Sequence, residues 1–243
     1  MSFKKHVPNI FTLLNLVCGS IAVVFLTSDS LPINAGWLIF IAAFFDLSDG
    51  AIARALGVSG ELGKQLDSLA DVVSFGLAPS AMIYQLLTAH SYEATPLAAI
   101  AIINVCCAAI RLARFNISTD QKHDFSGMPS PANGILWASI FIANDWLMNS
   151  TFISDSSLNI LITCMAVISS WLMVSRIRMF SFKLQPGGFI TNKIPFIFIG
   201  VVLLITASSL IFTHGIIPAL PLCLIAYILM SFVYHFSKQG NQS

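Results

Sequence analysis

Runs of about twenty apolar residues recur from one end of this chain to the other, and no other feature restricts the fold as tightly. A helix needs roughly 20 residues to cross the hydrocarbon core of a bilayer. Such runs are read at about 9–28, 33–56, 66–88, 95–116, 131–149, 157–177, 194–213 and 216–236. Strands of a membrane β-barrel would instead show as short segments of alternating hydrophobicity, whereas these runs are long and apolar all round. The composition agrees: 9% of residues are charged, against about 25% in soluble domains, and mean hydropathy is +0.83. The polar stretches between the runs are too short for a soluble domain. Residues 1–243 are therefore expected to form a single polytopic, all-α membrane domain of about eight transmembrane helices.

The basic residues test this segmentation. Lys4 and Lys5 precede the first run, and Arg54 and Lys64 lie between the second and third. Arg111, Arg114 and Lys122 follow the fourth, Arg176, Arg178, Lys183 and Lys193 follow the sixth, and Lys238 follows the eighth. All twelve thus fall on one side, and the opposite connections near 29–34, 89–95, 145–156 and 214–215 carry none. The positive-inside rule then puts both termini in the cytoplasm of a cell whose inner membrane holds the chain. A missing or extra span would break the alternation. The first run lacks a clear cleavage site and is expected to be a retained helix rather than a secretory signal.

Several function classes drop out. Cys18, Cys106, Cys107, Cys164 and Cys223 sit inside apolar runs without metal-ligand spacing and read as small buried hydrophobes. No two of the five histidines pair at ligand spacing, which argues against zinc. The net charge of +1, with no basic cluster, gives no footing for nucleic acid.

Most acidic residues have simple places: Asp29, Glu93, Asp145 and Asp155 belong to the outer connections. Asp46, Asp49, Asp67 and Asp71 do not. Residues three or four apart share a helix face, so Asp46 and Asp49 form a stripe with Gly50 and Ala53. Gly63, Asp67 and Asp71 form a second, continued by Ser74 and Ala78. A short turn near Gly57–Gly60 joins the two helices, which predicts antiparallel neighbours with facing acidic stripes at the cytoplasmic end. Burying an aspartate at mid-membrane costs roughly 2.5–3.5 kcal/mol, and two carboxylates about 4 Å apart repel by ~4 kcal/mol at an effective dielectric near 20. Such a cluster calls for cations, and all-oxygen ligation suits Mg²⁺ first, with Mn²⁺ or Ca²⁺ as alternatives. An ion-coupled transporter also buries acids and remains a rival on spacing alone.

Written out, the segment is Asp46-x2-Asp49-Gly50-x2-Ala53-Arg54-x8-Gly63-x3-Asp67-x3-Asp71. At every fixed position it resembles the signature of the CDP-alcohol phosphatidyltransferase family. Membrane prenyltransferases also bind diphosphate through aspartates and Mg²⁺, but they need a second, distant acidic motif that this chain lacks. The resemblance implies a six-helix core, a CDP-lipid donor, displacement of CMP by an alcohol hydroxyl, and a homodimer. It also implies that Asp46, Asp49, Asp67 and Asp71 are metal ligands, with Asp71 serving as general base. Gly50 and Gly63 would lie against the nucleotide, and Arg54 would balance phosphate charge.

Other segments resemble the integral-membrane, serine-accepting branch of that family: Pro8 to Gly19, Arg111 to Asn116, Phe125 to Gly134, and Met173 to Lys183. That likeness implies CDP-diacylglycerol and L-serine as substrates and phosphatidylserine as product. Another acceptor, such as glycerol 3-phosphate or inositol phosphate, would keep the chemistry. Thr12 and Asn15 share one face of the first helix, suited either to cytosine or ribose or to helix–helix contact. Arg111 and Arg114 can grip a lipid phosphate or the serine carboxylate through paired hydrogen bonds, or simply set topology. Ser130 and Asn133 are candidates for the acceptor pocket, beside Pro129 and Pro131, which separate two helices.

Overall fold

A computed structural model describes residues 6–28, 32–58, 60–88, 99–117, 127–148, 155–177, 179–180, 193–213 and 215–240. The elements are α1 (Val7–Leu26), α2 (Pro32–Leu56), α3 (Glu61–Asp71), a π-helical turn (Val72–Leu77) and α4 (Ala78–Thr88). They continue with α5 (Ala99–Ile117), α6 (Ser130–Met148), α7 (Asp155–Val174), α8 (Lys193–Thr213) and α9 (Ala219–Gly240). Lys4, Lys5, Lys122, Arg178, Lys183 and much of the base-free connections fall outside the described residues.

Each expected span is a helix. Among the described residues, seven helices are long and apolar enough to cross a membrane. The eighth, α6, covers the expected run at 131–149 but carries Asn133, Asn144 and Asp145 among its apolar residues. Its position explains that composition, because α6 packs against α2, the π-turn, α4, α5, α7 and α9. Leu136, Trp137, Ala138, Ser139 and Ala143 along it are buried. Surrounded by protein rather than lipid, α6 does not need an apolar surface. At the other extreme, α8 packs mainly on α9, and only 6% of its apolar window is buried. Asp145 lies within the last turn of α6 and Asp155 opens α7, so neither belongs to a loop. The cysteines divide: Cys18 is buried, Cys107 and Cys223 half-buried, and Cys106 and Cys164 exposed on the lipid-facing surface. The expectation of buried hydrophobes fails for those last two, because an apolar span offers a small thiol lipid as readily as core.

The third span departs from a plain helix. Residues 61–88 run continuously, but a wide turn interrupts them directly after Asp71. Pro79 supplies a cause, since it has no N–H to give the carbonyl four residues back and its ring crowds that carbonyl. The carbonyl is that of Phe75, inside the π-turn, where the Ala78 N–H instead reaches back to Val73.

Two glycines let helices approach this turn. A Cβ on Gly134 would lie 2.6 Å from Phe75 Cδ1 and 3.2 Å from its Cα, and one on Gly19 would lie 2.6 Å from Ser74 Cα. Small residues at such crossings are how membrane helices reach close packing. The turn between α2 and α3 is made by Gly57 at φ 61°. Its N–H donates to Arg54 O at 3.2 Å while Val58 N–H donates to Ala53 O at 3.0 Å, the paired bonds of a Schellman cap.

Gly134→Ala is expected to destabilise the fold by ~1–3 kcal/mol through overpacking. Gly200→Ala, on α8 with nothing within 4 Å, is expected to stay within ~0.5 kcal/mol. Thermal unfolding of both variants in detergent checks the contrast.

Candidate active site

The acidic stripes meet as their spacing predicts, and a third helix, α1, packs against both helices that carry them. The chief partners of α2 are α1 and α6, and α3 packs mainly against α1. The reason is visible on α1, whose buried face carries Thr12 and Asn15. Thr12 Oγ1 donates to Asp49 Oδ2 at 2.6 Å, and Asn15 Nδ2 donates to Asp71 Oδ1 at 3.2 Å. Hydrogen bonds to ionised groups are worth about 1.5–3 kcal/mol, so α1 stabilises one carboxylate from each stripe. Ser74, in the π-turn, donates to the Asn15 carbonyl at 2.9 Å and closes the contact from the other side.

Asp46, Asp49 and Asp67 each bring one carboxylate oxygen into a group whose members all lie within 4.8 Å of one another. Asp67 Oδ1 is buried without a hydrogen-bond partner. An unpaired buried carboxylate oxygen among like charges is a costly arrangement, and hard, all-oxygen donors of this kind fit a divalent cation. The cluster can therefore hold a metal ion.

Asp71 adjoins that trio and is the most buried of the four, 6% exposed. Besides Asn15 it accepts a bond from Ser130 Oγ at 3.4 Å. Ser130 accepts one from Arg111 Nη1 at 3.3 Å. The chain Arg111–Ser130–Asp71 thus links α5, the start of α6 and the end of α3. Arg111 Nε is buried and has no partner, so the guanidinium keeps a donor to spare. The entry into α6 is pinned: Gly127, at φ 82°, donates to Ile177 O at 2.9 Å, and Met128 N–H donates to Leu172 O at 3.0 Å.

The remaining expected residues are scattered around this centre. The exposed Arg54 side chain lies over Gly50, where an added Cβ would sit 3.4 Å from Nη1. Gly63 faces Asn9, whose Oδ1 would be 3.1 Å from an added Cβ. Arg114 is exposed and donates to the Val174 carbonyl at 3.1 Å, capping the C-terminal end of α7. Asn133 is fully buried and donates to Phe75 O at 3.4 Å and Asn104 Oδ1 at 3.2 Å. Its sequence neighbour Ser130 reaches Asp71, whereas Asn133, one turn deeper, holds the π-turn.

Three asparagines were given no role in the sequence reading. Asn104 bonds Ser80, Asn133 and Ser170. Asn116 Nδ2 donates to Ser68 Oγ at 2.8 Å, while Lys64 Nζ donates to the Asn116 carbonyl at 2.7 Å. Asn9 faces the Gly63 turn. One signal was available: an amide in the middle of the apolar run of α5 is costly unless partnered, and Asn104 is such a residue.

A family model described as CDP-alcohol phosphatidyltransferase matches residues 5–174. The chain belongs to the CDP-alcohol phosphatidyltransferase family. The match ends where α7 ends, so the six spans up to Val174 carry the family's portion and α8 and α9 lie beyond it. Membership removes the transporter reading. Among curated relatives, a CDP-diacylglycerol–serine O-phosphatidyltransferase of Methanocaldococcus jannaschii is 36% identical over 57% of this chain and 62% of its own length. One from Helicobacter pylori is 33% identical over 72% of each chain. One from Bacillus subtilis is 32% identical over 74% of this chain and 92% of its own length.

Removing the hydroxyl in Thr12→Val frees Asp49 from its short bond. The loss is expected to weaken Mn²⁺ binding by about tenfold, the equivalent of ~1.4 kcal/mol. Asp46→Asn and Asp67→Asn are expected to reduce it further. Titration of the purified protein against free Mn²⁺, followed by electron paramagnetic resonance, measures all three.

Proposed function

We propose that this chain transfers the phosphatidyl group of CDP-diacylglycerol to the hydroxyl of L-serine, giving phosphatidylserine and CMP. The observation that carries the reading is the meeting of the four signature aspartates with the Arg111–Ser130–Asp71 chain at one end of the bundle. The names of the relatives support serine as the acceptor. The basic-residue map supports a cytoplasmic location, at the inner membrane, for that end of the bundle and both termini. A lipid donor then enters from the bilayer and a polar acceptor from water. Family resemblance favours a homodimer.

The residues divide the work. Asp46, Asp49, Asp67 and Asp71 would hold Mg²⁺ or Mn²⁺, with Ca²⁺ as the third candidate, which when bound offsets diphosphate charge and stabilises the departing CMP. Asp71 takes the proton from the serine hydroxyl, because a neutral alcohol is a weak nucleophile. In net terms the serine oxygen bonds to the lipid-bearing phosphorus, and CMP leaves with the former bridging oxygen. Asn15 and Ser130 orient the Asp71 carboxylate. Arg111, linked to Asp71 through Ser130, would meet the serine carboxylate, which suits a planar guanidinium. Arg54, exposed over Gly50, meets donor phosphate, and Gly63 leaves room for the nucleotide beside Asn9 and Thr12. Arg114 adds positive charge at the rim of the site.

Purified protein with CDP-diacylglycerol and Mn²⁺ is expected to release CMP when serine is added, and to stop on chelation of the metal. Equal release with glycerol 3-phosphate and no serine would reject the acceptor. Asp71→Asn should lower kcat by roughly 10²–10⁴-fold. Arg111→Lys, which loses the planar fork, should raise KM for serine by about tenfold.

A further inference from the structure

Asn133 lies within one helical turn of Ser130, and its sequence position suggests the acceptor pocket. Its hydrogen bonds lead elsewhere. Pro79 leaves the Phe75 carbonyl without an α-helical donor, and Asn133 Nδ2 approaches that carbonyl at 3.4 Å. The other amide proton goes to Asn104 Oδ1 at 3.2 Å. Asn104 is fully buried, accepts a bond from Ser170 Oγ at 3.4 Å and donates to Ser80 Oγ at 3.1 Å. Four helices, α4, α5, α6 and α7, are thereby tied to the π-turn that follows Asp71. In an apolar interior an orphaned carbonyl costs several kcal/mol if nothing replaces its donor.

We propose that Asn133, held by Asn104, is a positioning residue that replaces the donor Pro79 lacks and so locks the π-turn and the aspartates carried just before it. The inference rests on the reading of Asp67 and Asp71 as ligand and base. It also removes Asn133 from contact with the acceptor. The Asn133 side chain acts through the Phe75 carbonyl, on the helix stretch whose Ser74 grips the Asn15 backbone. Loosening that stretch changes where Asp71 sits relative to Asn15 and Ser130, while the serine-binding groups stay in place.

The test follows CMP release by the full-length purified chain, with serine and Mn²⁺ varied separately. Asn133→Ala is expected to lower kcat about tenfold and to leave KM for serine within about twofold. Adding Pro79→Ala restores an N–H to the Phe75 carbonyl, and the double variant should recover most of the lost kcat. A substrate contact cannot be rescued in this way. A serine KM that rises about tenfold with kcat retained, or a double variant that recovers nothing, overturns the proposal. Should Asn133→Ala not yield monodisperse protein, Asn104→Ala must show the same kcat loss and the same rescue. If the wild-type chain releases no CMP, the transfer reaction fails, and Mn²⁺ binding then decides this inference. Weaker binding in Asn133→Ala, regained with Pro79→Ala, sustains it, and unchanged binding refutes it.

Discussion

Four carboxylates gathered at one end of an apolar bundle repel one another and give up much of their hydration, and the remaining architecture answers that problem. Coulomb repulsion at close range in a partly buried site amounts to several kcal/mol per pair. The bundle meets it by setting a polar face alongside rather than by spreading the charges. Helix α1 lies against both acid-bearing helices, with Thr12 on Asp49 and Asn15 on Asp71. Arg111 brings positive charge to the same neighbourhood through Ser130. What these donors leave uncompensated, chiefly the group of Asp46, Asp49 and Asp67, is the part suited to a cation.

The second constraint is the absence of water in hydrocarbon, which obliges every backbone polar group to find a partner within the protein. Pro79 violates that rule inside the third span. The wide turn behind Asp71, the close approach of Gly19 and Gly134, and the amide of Asn133 together compensate for it. The same requirement accounts for α6, whose amides would be intolerable against lipid and are unremarkable at the centre of six helical neighbours. At the helix ends, Lys64 and Arg114 supply donors to the last carbonyls of α5 and α7. The basic residues that set topology thus also complete secondary structure beside the site.

Much of this was legible beforehand. Apolar run length gave the helices, because the bilayer imposes one length on all of them, and α6 passed that reading although its hydropathy is the weakest. The spacing of Asp46, Asp49, Asp67 and Asp71 gave the cluster, because a helix converts a three- or four-residue interval into a shared face. Thr12, Asn15, Arg111 and Ser130 were singled out, and the structure brings all four to the aspartates. The sequence reading did not separate Ser130 from Asn133, since both lie on the inward side of α6 and a pattern cannot say which one reaches Asp71. It also did not show that α1 lines both acidic helices, because a short turn implies adjacency but not which third helix packs alongside.

By itself the sequence determined that this chain spans a membrane as helices and that four acids cluster at one end. Each of these follows from local periodicity or from the cost of burying charge. Only the tertiary structure decided which donor serves which carboxylate, that α1 packs against both acidic helices, and that Asn104 and Asn133 answer for Pro79. Those pairings join residues dozens of positions apart. Hydrogen-bond partners depend on ångström-scale distances between helices, and no single helix encodes those distances.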